Sequence, residues 1–180
     1  MRYAQIDPCE IVNGNGVGVS LYTQGCPIRC EGCFNPETWD FNGGEEWTFE
    51  KEEEILRLLE PKEISRLSIV GGEPLYENNL LDLFLLIHTV KQFRPDKKIW
   101  LWTGYTWEQL QEKIVQARAD WPEVNAGVYL YGILTQIDYI ICGPFIQEEK
   151  DLTLQWRGSR NQEVLLCSES FKKEQKIFYK

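Results

Sequence analysis

The sequence predicts an α/β fold, a partial, open β/α barrel of parallel strands spanning residues 1–180 as one domain. Three observations predict it. Strand-like and helix-like segments alternate along most of the chain, which is the pattern of parallel βα units. The chain has 180 residues, short of the about 250 that a closed eight-fold barrel typically takes. The unusual sequences all fall at carboxyl ends of strand-like segments, the edge where parallel α/β folds build their sites.

Taken in order, Asn13-Gly14-Asn15-Gly16 is a dense turn signal. Residues 17–23 then alternate as a strand, and a cysteine-rich loop follows directly. Thr48 is placed to cap a helix over residues 49–59, with an acidic first turn that suits the positive helix end and Pro61 as its stop. Residues 66–70 form a short apolar strand ended by Gly71-Gly72-Glu73-Pro74. An apolar helix runs from about Asn79 to Phe93. Residues 98–102 are a strand ended by Thr103-Gly104-Tyr105, and Trp107 to Ala119 is helical. Residues 137–141 are a fourth strand, ended by Cys142-Gly143-Pro144, and residues 163–167 a fifth.

Composition narrows the function classes. Apolar residues make up 43% of the chain, enough for a core. No apolar run reaches membrane-spanning length, and the first residues lack a secretory hydrophobic core, so the expected compartment is the cytoplasm. The net charge of −9 and the absence of a basic stripe argue against nucleic-acid binding. The single histidine, His88, sits within the apolar helix. Histidine-based hydrolysis and histidine-rich zinc sites are therefore poorly supplied.

Three of the six cysteines, Cys26, Cys30 and Cys33, fall within eight residues. In a reducing compartment such a cluster points to metal or redox chemistry rather than to disulfides. A closed structural site usually wants four ligands, whereas three leave one coordination position open, as catalytic metal sites do. Iron–sulfur clusters are held by thiolates, commonly four. A structural zinc site completed by Cys9, Cys142 or Cys167 is the plain alternative.

The Cys26-x3-Cys30-x2-Cys33 spacing with Gly71-Gly72-Glu73-Pro74 resembles the radical S-adenosylmethionine enzymes. Further blocks sharpen the likeness: Ile11-Val12-Asn13-Gly14, Cys33-Phe34-Asn35-x-x-Thr38-Trp39, Trp100-x-Trp102-Thr103-Gly104-Tyr105 and Trp156-Arg157-Gly158-Ser159-x-Asn161-Gln162. Together they resemble the glycyl-radical activases that serve anaerobic ribonucleoside-triphosphate reductase. The resemblance implies a partial barrel of the radical S-adenosylmethionine type. It implies that Cys26, Cys30 and Cys33 hold a [4Fe-4S] cluster, and that Gly32, Cys33, Phe34, Gly71 and Gly72 line S-adenosyl-L-methionine. Reductive cleavage of that cofactor would give a 5′-deoxyadenosyl radical, which takes a hydrogen atom from a glycine of the reductase large subunit. A flavodoxin-like protein would supply the electron, and no catalytic residue beyond cluster and cofactor is implied. An activase of another glycyl-radical enzyme, or a non-catalytic iron–sulfur or zinc module for electron transfer or structure, is the alternative. The chain departs from the pattern at Cys142, where an acidic residue is expected, and its tail after Gln162 matches no block.

Overall fold

The structure, a computed structural model, describes residues 1–119 and 126–179. Seven strands form a single sheet: β1 (Arg2–Glu10), β2 (Val17–Thr23), β3 (Glu45–Glu46), β4 (Ile64–Gly71), β5 (Lys98–Thr103), β6 (Tyr139–Cys142) and β7 (Glu163–Leu166). Their order across the sheet is β3-β1-β2-β4-β5-β6-β7. The four central strands β2, β4, β5 and β6 are parallel, as the alternating pattern predicts. The edges are not. β1 and β3 on one side and β7 on the other pair antiparallel, which corrects the expectation of parallel strands throughout. The sheet is open, with β3 and β7 as its two ends.

Five helices accompany it among the described residues: α1 (Phe49–Leu58), α2 (Leu80–Phe93), α3 (Trp107–Ala119), α4 (Ala126–Gln136) and α5 (Cys167–Lys173). Thr48 occupies the cap position of α1, but its hydroxyl makes no capping bond. Its carbonyl instead accepts from Lys51 and Glu52. Cys167, expected as the end of a strand, opens α5. Helix α4 was not expected. Its Gly132 leaves space that the Phe84 ring of α2 fills, since a Cβ there would sit 2.5 Å from the ring.

The two faces of the sheet carry different residues, because successive strand side chains point to opposite sides. Val19, Leu21, Leu67, Ile69, Ile99 and Leu101 pack with the helices in one apolar core. Cys142 and Cys167 belong to that core too. The alternate positions, Ser20, Arg66, Ser68, Trp100 and Trp102, face the other side. There Trp100, Ile141 and Val164 form a second cluster with Trp102, Tyr139, Trp156 and Tyr179. The tail after Gln162 accounts for part of this. Tyr179 N–H donates to Val164 O, and the Tyr179 ring meets those of Trp100 and Tyr139 edge-on. Among the described residues no helix is long and apolar enough to cross a membrane.

Candidate functional site

The face opposite the apolar core opens at the carboxyl ends of the parallel strands into a cleft of about 630 Å³. Cys26, Cys30 and Cys33 all line it. The loop that carries them leaves β2 and is folded back on itself. Gly25 N–H donates to Thr38 O at 2.8 Å and Cys26 N–H to Trp39 O at 3.2 Å. The Gln24 amide donates to Glu37 O and Asp40 O. Thr38 Oγ1 closes the inner turn by donating to Asn35 O at 2.7 Å. The Thr38-Trp39 pair is thus a brace for the first cysteine.

Gly71 and Gly72 join this loop to β4. Gly71 has φ +100°, and a Cβ on it would lie 2.6 Å from Thr23 O. A Cβ on Gly72 would lie 2.4 Å from Gly25 O. Both residues line the cleft, yet the space a side chain would need is taken by the root of the cysteine loop. Gly72 N–H donates to Thr23 O, and Glu73 N–H to Gly25 O at 2.9 Å.

Glu73 extends the tie to β5. It is 1% exposed. Its carboxylate accepts from Thr103 Oγ1 at 2.7 Å, from Gly104 N–H at 2.8 Å and from Leu75 N–H at 2.9 Å. Burial pushes this carboxyl up to about 7, against the pull of those donors. One residue therefore connects the cysteine loop to the Thr103-Gly104 turn. The sequence places Glu73 inside a recognisable block but does not announce this role.

The far wall comes from the Trp156–Gln162 block. Gln162 Oε1 accepts from Gly158 N–H at 2.9 Å and from Ser159 N–H at 3.2 Å, while its Nε2 donates to Gly143 O at 3.1 Å. Asn161 Nδ2 donates to Pro144 O and Arg157 Nη1 to Gln162 O. Trp156, with φ +66°, offers its carbonyl to Trp102 Nε1 at 2.7 Å. Phe34, 55% exposed, reaches this wall and meets the Phe145 ring edge-on at 5.1 Å. Gly32 stands on the exposed outer side of its turn, beside Gln147, and does not line the cleft.

The three thiols are sulfur donors of the kind that hold iron–sulfur clusters. Burial raises the Cys26 thiol, opposed by backbone N–H groups of Arg29 and Ile28, while Glu73 and Cys30 add to the rise. Burial also raises Cys30, opposed by the Phe145 N–H. Asn35 N–H donates to Cys33 Sγ at 3.4 Å. Such N–H···S contacts stabilise thiolates when a metal replaces the proton. Among the described residues no three His, Cys, Asp or Glu side chains are close enough to hold one metal ion. Thiolates of an iron–sulfur cluster bind separate irons and need not converge that tightly. The other cysteines stand apart. Cys9 is exposed on β1, Cys142 contacts Glu163 O, and the Cys167 thiol is buried against Leu134 O. His88 is exposed on α2, paired with Gln136.

A family model described as a 4Fe-4S single cluster domain matches residues 12–165. Three curated relatives, from Vibrio cholerae serotype O1, Escherichia coli K12 and Enterobacteria phage T4, are each named anaerobic ribonucleoside-triphosphate reductase-activating protein. They are 38%, 35% and 36% identical to this chain over 166 residues. Each alignment covers 91% of this chain, and 97%, 97% and 93% of the relative. The chain belongs to the family of anaerobic ribonucleoside-triphosphate reductase-activating proteins.

In this member of the family, the cysteine trio, Phe34, Gly71 and Gly72 come together at one cleft. The position where an acid was expected, Cys142, instead lies in the helix-covered core, where burial pushes its thiol up to about 12.

Proposed function

We propose that this chain is a cytoplasmic radical S-adenosylmethionine activase on a partial, open β/α barrel, an oxidoreductase that generates a glycyl radical on anaerobic ribonucleoside-triphosphate reductase. Cys26, Cys30 and Cys33 would hold a [4Fe-4S] cluster, with a flavodoxin-like protein as electron donor. When bound, a cluster held by Cys26, Cys30 and Cys33 would supply the electron for reductive cleavage of S-adenosyl-L-methionine, the chemistry by which a hydrogen atom would be taken from one glycine of the reductase large subunit. The observation that carries this reading is the three-thiol loop lining a cleft that no other cysteine or histidine among the described residues lines. A fourth protein ligand would close the site, whereas three leave an iron free for a small chelating ligand.

The chain's own residues do the positioning. Cys33, Phe34, Gly71 and Gly72 would line the cofactor, and Gly32 would shape the turn before Cys33. A cleft of about 630 Å³ is within the roughly 300–1,000 Å³ usual for small-molecule sites. Trp102, Trp156 and Phe145 give it apolar walls, which would shield radical chemistry there from water. Hydrogen-atom transfer itself requires no protein acid or base.

The reading is tested by anaerobic incubation of the reconstituted, reduced protein with S-adenosyl-L-methionine and the reductase large subunit. A glycine-centred doublet in the electron paramagnetic resonance spectrum, replaced by a singlet when the glycine is deuterated at Cα, is the expected result. A loaded cluster that yields no such signal would contradict it.

A further inference from the structure

We infer that Ser159, Asn161 and Gln162 are positioning residues for the iron–sulfur site: they clamp residues 143–147 against the turn that carries Cys30, so that the Phe145 ring insulates a cluster bound there. The inference rests on the activase reading in needing a cluster at the three cysteines, and adds to it the residues that set how exposed that cluster is. The segment after β6 meets the cysteine loop at several points. Phe145 N–H donates to the Cys30 sulfur. The Phe145 and Phe34 rings meet edge-on at 5.1 Å. A Cβ on Gly32 would overlap Gln147 Oε1 and lie 3.3 Å from the Phe145 ring. A Cβ on Gly158 would lie 2.6 Å from the Phe34 ring and 3.1 Å from that of Phe145. The Cys30–Phe34 turn and both ends of the segment between β6 and β7 therefore close on one pair of rings.

The block before β7 holds that segment in place. Gln162 Nε2 donates to Gly143 O at 3.1 Å and Asn161 Nδ2 to Pro144 O at 2.7 Å. Ile146 N–H donates to Ser159 Oγ at 3.3 Å. Residues 143, 144 and 146 are each tied, which leaves the N–H of Phe145 between them for sulfur. All three ties run from a side chain to the backbone, so they need an amide or a hydroxyl and not mere bulk. The clamp is itself fixed. Gln162 Oε1 accepts from Gly158 N–H and Ser159 N–H, and Ser159 is fully buried. Arg157 Nη1 donates to Gln162 O at 2.6 Å.

Solvent exposure and hydrogen bonds to sulfur are two of the levers that set an iron–sulfur potential. Reduction adds negative charge to a thiolate-bound cluster, and water stabilises added charge better than an aromatic ring does. A ring seated beside Cys30 therefore keeps the potential low, as a strongly reducing cluster requires. The same ring hinders the approach of water and chelators to the iron. Partners of a metal's ligands act in this way on both affinity and potential.

The test uses the full-length chain reconstituted with iron and sulfide. Phe145→Ala is expected to lose its cluster to a chelator about tenfold faster than the unaltered chain. Its potential, followed by electron paramagnetic resonance during a redox titration, should be less negative. Gln162→Glu keeps an acceptor for Gly158 and Ser159 but sets a carboxylate oxygen against Gly143 O, and should also lose its cluster faster. Phe145→Leu, which restores apolar bulk, should return toward the unaltered values, and Phe49→Ala, exposed on α1, should change neither readout. A second measurement needs no cluster. In the cluster-free chain N-ethylmaleimide should label Cys30 faster in Phe145→Ala and Gln162→Glu than in the unaltered chain, with the exposed Cys9 as internal reference. Unchanged cluster loss and unchanged Cys30 labelling in both variants would overturn the inference while leaving the activase reading intact. So would a lowered melting temperature with neither readout moved, or equal changes in Phe49→Ala. An unaltered chain that takes up no cluster would overturn the activase reading and the insulating role with it.

Discussion

The two faces of the central sheet are built by the same strands and have opposite characters. On the helix side, Leu67, Ile69, Ile99 and Leu101 are fully buried in one apolar core. On the other side, the alternate residues are Arg66, Ser68, Trp100 and Trp102, and Trp102 lines the cleft with the three thiols. One residue of offset separates a position that holds the fold from one that shapes the site. The difference teaches that stability and chemistry are separable here, so substitutions should sort by face.

The largest separation is expected at the thiols. Alanine at Cys26, Cys30 or Cys33 should abolish cluster incorporation, read as iron content and visible absorbance, while the far-ultraviolet circular dichroism is retained. Alanine at Cys9, Cys142 or Cys167 should leave the iron content unchanged. On the helix face, Leu101→Ala should cost about 2–5 kcal/mol in denaturant unfolding without lowering the iron bound per folded molecule. Equal loss of cluster in that variant would break the comparison.

Glu73 gives the next effect, through pH. Its folded-state carboxyl stands at about 7 against an ordinary 4.5. A raised acid holds its proton more tightly in the folded chain. Its contribution is therefore complete below about pH 4.5 and is lost as pH rises through 7, on the order of 3 kcal/mol in all. Glu73→Gln should flatten the stability profile across that window, measured by unfolding at a series of pH values. The smallest effect is expected at Gly72→Ala. Its Cβ would press on Gly25 O, costing about 1–3 kcal/mol and slowing cluster reconstitution more than it lowers the melting temperature.

The central strands and helices were legible because their periodicity is strong. Residues 17–23, 98–102 and 107–119 carry it, and all three elements lie where the pattern puts them. The edges were not. β1 buries only Tyr3, contains Pro8 and pairs through shifted registers, so it shows no clean alternation. Helix α4 holds Gly127 and Gly132, which lower helix propensity, and packing against Phe84 outweighs that. The tail after Gln162 earns its order from the Trp100–Tyr139–Tyr179 contacts, which join residues far apart in sequence. At the site, the cysteine spacing and the Gly71-Gly72 pair were plain. The bridging role of Glu73 and the brace from Thr38 and Trp39 depend on side chain and backbone meeting across loops, and sequence alone carries no sign of that.

The most direct measurement of the central claim is the yield of 5′-deoxyadenosine from S-adenosyl-L-methionine, with the reconstituted protein reduced under anaerobic conditions. Product that requires Cys26, Cys30 and Cys33 together, and none of the other three cysteines, is the predicted result. A fully loaded cluster that makes no product even with the reductase present would show that the fourth iron is closed, and would contradict it.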